Sequence, residues 1–160
     1  MGWKKRGAVI LAGILLLGSS LPVCAEETEP AGYHVYEVQE NEASDTWYGI
    51  ARGDYLQSGV SKVSKKDSTH AVASGSTFAH RDCERVYVRI YLDKSSTGTG
   101  GWGNVNYWTG TTKGGSTASV SSGSYKITQG RYYRAQGAHS VTQGGKTEAT
   151  NTCTDALYIN

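Results

Sequence analysis

From Val86 to Asp93 the chain alternates without a break: Val86, Val88, Ile90 and Leu92 share one parity, and Tyr87, Arg89, Tyr91 and Asp93 the other. A period of two places successive side chains on opposite faces of a strand, so one face is apolar and the other is ringed and charged. A parallel strand buried on both faces would read as a continuous apolar run, and a helix would repeat every 3.6 residues. The segment is therefore predicted to be an antiparallel strand with one buried and one amphipathic face. Weaker segments of the same kind fall at Leu56–Val63, His70–Phe78, Val105–Trp108, Tyr125–Ile127, Arg131–Val141 and Thr147–Ile159, separated by Gly, Ser and Thr. About seven short strands with no helical periodicity predict an all-β fold, an immunoglobulin/fibronectin-like antiparallel β-sandwich.

The last two strands flank Gly144-Gly145, a pair suited to a two-residue turn in which both central residues take positive φ. That turn predicts a register in which Gln136 faces Cys153, Arg134 faces Asp155 and Tyr132 faces Leu157, an opposite-charge pair included. Gly130-Arg131-Tyr132 at the head of the penultimate strand is similar to the tyrosine corner of immunoglobulin-like folds, with Tyr132 as the corner ring.

Leu, Ile, Val and Phe number 18 in residues 26–160, so eleven Tyr and the Trp side chains must supply much of the buried area. Lys4, Lys5 and Arg6, the apolar run from Gly7 to Leu17, and Val23-Cys24-Ala25 read as a signal peptide over 1–25, cleaved after Ala25. An uncleaved anchor, or lipid attachment at Cys24, would be the rival outcomes. Cleavage predicts a secreted protein without membrane insertion, and loss of three cations takes the formal charge from +2 to −1, which leaves no nucleic-acid footprint. Glu26 to Asp45 holds seven acids and no Lys or Arg, so residues 26–47 are expected to form an acidic, flexible lead to a domain over 48–160. Tyr33–Val38 inside it has strand composition and offers an alternative, docking on a sheet edge. Cys83 and Cys153 are left after cleavage, and in an oxidising compartment the pair is expected to form a disulfide.

Motifs for chemistry are sparse. Gly98-Thr99-Gly100-Gly101-Trp102-Gly103 fits a dinucleotide pattern, but a strand follows it where a helix is needed, so it reads as a hairpin loop and no cofactor is expected. The four His residues lack metal-site spacing, and no metal is expected. A Cys83–His139 nucleophile pair competes with the disulfide; were the domain catalytic, His139 and Glu148 on the last hairpin would be the first residues to examine. The positive signal is aromatic. Trp102, Tyr107, Trp108, Tyr87 and Tyr91 fall in a Gly-rich loop or on the outer strand face, where rings can stack on sugars or seat a partner; the competing role is to cover a core short of aliphatics. The chain is accordingly expected to be a non-catalytic secreted binding module for a glycan or cell-surface protein. A toxin-like antagonist and an extracellular hydrolase are the alternatives.

Arg52-Gly53-Asp54-Tyr55-Leu56, the strand Val86–Leu92, Gly130-Arg131-Tyr132-Tyr133-Arg134, His139 and Glu148 occur in an order that resembles a family of small secreted proteins of Gram-positive bacteria, catalogued as a domain of unknown function. The resemblance spans roughly residues 48–160. It implies secretion and a β-fold and implies no activity.

Overall fold

The computed structural model describes residues 27–50 and 55–160. The expected signal peptide over 1–25 with Cys24, and Arg52-Gly53-Asp54, lie outside the described residues. Among the described residues there is no helix, and the strands form two sheets. Sheet 1 runs β1 (Glu27–Thr28), β11 (Lys146–Cys153), β10 (Arg131–Gln143), β6 (Arg85–Ser95) and β7 (Gly103–Thr112), with β12 (Leu157–Ile159) also on β10. Sheet 2 runs β2 (Gly32–Gln39), β3 (Glu42–Gly49), β4 (Leu56–Lys65), β5 (His70–Cys83) and β8 (Gly115–Ser121), with β9 (Tyr125–Lys126) on β5. Pairing is antiparallel throughout except for β1 on β11. β6 and β10 of sheet 1 lie over β4, β5 and β8 of sheet 2.

The alternation in β6 is obeyed: Val86, Val88, Ile90 and Leu92 are fully buried between the sheets. Leu56, Val63, Tyr133, Val141, Leu157 and Ile159 join them. The core also holds a polar chain. Thr77 gives its hydroxyl proton to the Tyr87 carbonyl (2.8 Å), so its oxygen accepts from Nδ1–H of His139 (2.9 Å), and Nε2 of His139 accepts from the Thr152 hydroxyl (2.8 Å). Gly59 makes room for this ring, because any Cβ there would press on the imidazole. Two carboxylates also cross between sheets. Glu148 accepts the N–H groups of Tyr55 (3.0 Å) and Leu56 (2.7 Å), and Asp45 accepts that of Cys153 (2.7 Å).

The β10–β11 turn is at Gly144 and Gly145, with φ of +57° and +77°, and Gln136 faces Cys153 as the turn predicts. Beyond Cys153 the expected register fails. Thr154 bonds Ala135 with both its N–H (2.9 Å) and its side-chain oxygen (3.0 Å), which inserts one extra residue into the ladder. Tyr132 then faces Tyr158 rather than Leu157, and Arg134 pairs with Asp93 of β6 rather than Asp155. The corner ring is Tyr133, not Tyr132: its hydroxyl donates to the Thr128 carbonyl and accepts the Thr128 N–H, both at 2.9 Å.

Two expectations about the ends are overturned. Most of the acidic stretch 26–47 is no flexible lead but lies in β2 and β3, an integral hairpin of sheet 2 whose Trp47 is 2 % exposed. The Cys83–Cys153 disulfide is not formed, and both are free thiols. Cys83 is buried beyond the Arg85–Thr142 end of the β6–β10 ladder, whereas Cys153 faces Gln136 on the outer side of β11. At about 3.3 Å per residue the two are on the order of 20 Å or more apart along the sheet, and a bridge needs Cα atoms within about 7 Å.

Candidate functional site

The outer face of sheet 1 is built from the second parity of β6. Tyr87, Arg89 and Tyr91 stand on it in a row, and the pairing of Tyr91 with Tyr107 brings a third ring from β7. Arg89 sits among them, its guanidinium carbon 5.8, 5.9 and 5.2 Å from the ring centres of Tyr87, Tyr91 and Tyr107. It donates from Nη1 to the Tyr91 hydroxyl (3.2 Å), and this bond raises its already high pKa. Arg85 covers Tyr87 at 4.8 Å. Cations over ring faces order both partners, so the face is a pre-arranged strip of flat rings and planar cations.

At one end of the strip Arg134 lies between Asp93, at 3.4 Å, and the Trp102 ring, at 4.2 Å. The loop carrying Trp102 is held by Ser95, whose Oγ accepts the N–H groups of Thr97 and Gly98 (both 3.1 Å) and donates to the Gly100 carbonyl. Trp108 is elsewhere. It pairs with Ile90, points inward and packs edge-on against Tyr125, so it belongs to the core rather than to the expected binding set. Tyr87, Tyr91, Tyr107 and Trp102 are thus brought to one face.

Beside that face is a cleft that the chain's pattern did not reveal. The β2–β3 hairpin projects past the edge of sheet 1, and its inner side turns toward the outer side of β11. Nδ1 of His34 lies 2.9 Å from both carboxylate oxygens of Asp45, and Tyr36 stacks on His34 at 5.8 Å. These line a recess of about 250 Å³ with Tyr91, Gln136, Asn151 and Cys153. A second recess, about 420 Å³, adjoins it through Tyr36 and Cys153 and reaches Trp102, Arg134 and Asp155. Burial, helped by the charges of Asp45 and Asp155, pushes the Tyr36 hydroxyl pKa up, and burial likewise raises that of the Cys153 thiol. Burial thus disfavours the Cys153 thiolate.

His139 and Glu148 do not form a surface acid–base pair. His139 is 1 % exposed with a pKa pushed down to about 4 by burial, and Glu148, opposite Val141, caps the start of β4 from within. Among the described residues no three His, Cys, Asp or Glu side chains converge to hold a metal ion. The Arg89-centred ring cluster was legible in the β6 alternation. His34, Tyr36 and Asp45 were not, because they meet Cys153 across about a hundred residues of chain.

One family model matches the chain, over residues 22–157, and it describes a family of unknown function. No curated protein and no solved structure matches.

Proposed function

The chain belongs to that family, DUF6147, whose members bring no assigned activity to it, and we propose from geometry that it is an exported, non-catalytic binding module for a glycan chain. The observation that carries this is the strip of Tyr87, Arg89, Tyr91 and Tyr107, which leaves flat rings on an outer sheet face beside a polar cleft. Sugar rings offer apolar C–H faces that stack on aromatic rings, and hydroxyls that bond planar groups such as those of Gln136, Asn151 and Arg134. The reading includes cleavage after Ala25 and takes the two sheets as an immunoglobulin/fibronectin-like sandwich, supported by the Tyr133 corner.

The test is a glycan array with residues 26–160, followed by titration of any hit against a Tyr91→Ala, Tyr107→Ala double variant. Both rings lie outside the core, so the variant is expected to stay folded and to weaken binding at least about tenfold. A Trp108→Ala variant serves as contrast and is expected to lower stability instead. Unchanged affinity in the double variant, or turnover of the glycan, would overturn the proposal.

A further inference from the structure

A different part of the molecule, independent of the ring strip, carries a second interaction surface. Among the described residues β2 pairs with β3 and has no strand on its other side. The Ala31 carbonyl accepts the Ile50 N–H at 3.0 Å, which fixes the phase of the ladder: odd-numbered residues of β2 bond toward β3. Gly32, His34, Tyr36 and Val38 therefore aim their N–H and C=O groups at the open edge. The pairing runs from Gly32 to Gln39 without a register shift, and the strand contains neither Pro nor Lys nor Arg. Natural edges are normally blunted by such residues, by bulges or by a covering loop. Here the edge is also apolar on both faces: Tyr33 and Val35 are 51 % and 38 % exposed on one side, and Tyr36 and Val38 are 55 % and 58 % exposed on the other.

Charge decides what fits this edge. No Lys or Arg occurs from residue 27 to 50, and Glu37, Glu40 and, beside Tyr36, Asp155 make no ion pair among the described residues. A second copy pairing antiparallel through β2 would bring the same acids against themselves. We propose that the open edge of β2 accepts, by strand addition, an extended segment of another protein in which Lys or Arg alternates with apolar residues. Main-chain bonds to Gly32, His34, Tyr36 and Val38 supply the register. Alternation puts all the basic side chains on one face, where they meet Glu37, and the apolar ones on the other, beside Tyr36 and Val38.

The test uses the mature chain with four synthetic eight-residue peptides. These are Lys-Val-Arg-Tyr-Lys-Val-Arg-Val, the same peptide with every cation replaced by Glu, and the basic peptide N-methylated at alternate amides in each of the two phases. Amide exchange is followed by NMR. The expected result is that the basic peptide slows exchange at Gly32, His34, Tyr36 and Val38 together. The acidic peptide is expected to bind at least about tenfold more weakly, and one phase of N-methylation to abolish the protection. A Glu37→Lys, Glu40→Lys variant, altered only at exposed side chains, is expected to lose the preference for the basic peptide while keeping its fold. No protection at millimolar basic peptide, equal binding of the acidic peptide, or equal binding of both methylated forms overturns the proposal. So does protection of these four amides in the protein alone that grows with its concentration, which would mark the occupant as a second copy.

Discussion

β11 and β2 are both the outer long strand at their end of a sheet, and they are finished in opposite ways. The exposed side of β11 is closed at three points: β1 pairs at Thr147 and Glu148, Glu29 accepts the Thr150 hydroxyl at 3.1 Å, and Asp45 accepts the Cys153 N–H. The outer side of β2 has no such partner among the described residues. The difference comes from one hairpin. β3 sends Asp45 across to close the edge of sheet 1, and in doing so carries β2 beyond the cover of that sheet. An unpaired edge has been relocated rather than removed, from a strand whose side chains build the core to one whose side chains are mostly exposed.

If β11 is closed by buried carboxylates, removing one should hurt far more than any change on β2. The largest effect is expected for Glu148→Ala, which leaves the N–H groups of Tyr55 and Leu56 without their acceptor beside the core. Two orphaned donors should cost about 3 kcal/mol, or about 10 °C in Tm for a domain of this size. Thermal melting of the variant measures it, and a loss below about 1 kcal/mol would mean that water replaces the carboxylate.

His139 of β10, bonded to Thr152 on the inner side of β11, adds a dependence on pH. His139 is neutral in the fold with a pKa near 4, against 6.5 when exposed. Above pH 6.5 neither state binds the proton and the group has no effect on stability. As pH falls from 6.5 to 4 the unfolded chain binds the proton and the folded one does not, so stability is lost over that window, by about 3 kcal/mol, and levels off below it. Urea unfolding at stepped pH tests the slope, and a His139→Gln variant should flatten it.

A smaller change is expected at Asp45→Ala, about 2 kcal/mol, because one buried amide rather than two loses its acceptor and the other partner, His34, is partly exposed to water. Its signature is local: the Cys153 amide should exchange faster than its neighbours in β11, marking the reopened edge.

These contrasts also explain what could be read from the chain. The β6 alternation located the core and the ring strip, because Val86, Val88, Ile90 and Leu92 obey the period and nothing interrupts it. The Gly144-Gly145 turn set the β10–β11 register correctly up to Cys153. It failed where the Thr154 side chain replaced a backbone group, a substitution that leaves no periodic trace. Trp108 was misplaced because its parity depends on a register shift between Leu92 and Asp93. The hairpin β2–β3 reads as a lead because residues 26–45 hold seven acids and no Lys or Arg, and one of those acids, Asp45, interrupts the inward series Ala43, Asp45, Trp47. Its carboxylate is inward to serve β11, and a contact 108 residues away is invisible to any local pattern. The disulfide was expected from compartment and cysteine parity, neither of which carries the geometry that separates Cys83 from Cys153.

The smallest effect is expected on β2 itself. Val38 is 58 % exposed and lies opposite Ala43 near the end of the strand, so little packing depends on its isopropyl group. Val38→Lys keeps the backbone bonds to β3 and adds a cation near Glu37 and Glu40, so the change in stability should stay within about 0.5 kcal/mol of zero. The same substitution places a blunting charge on the open edge, and the soluble fraction after heating should rise even though Tm does not. A fall of more than about 1 kcal/mol would show that Val38 is packed in the folded protein. In that event β2 would be a closed edge like β11, and the contrast between the two strands would collapse.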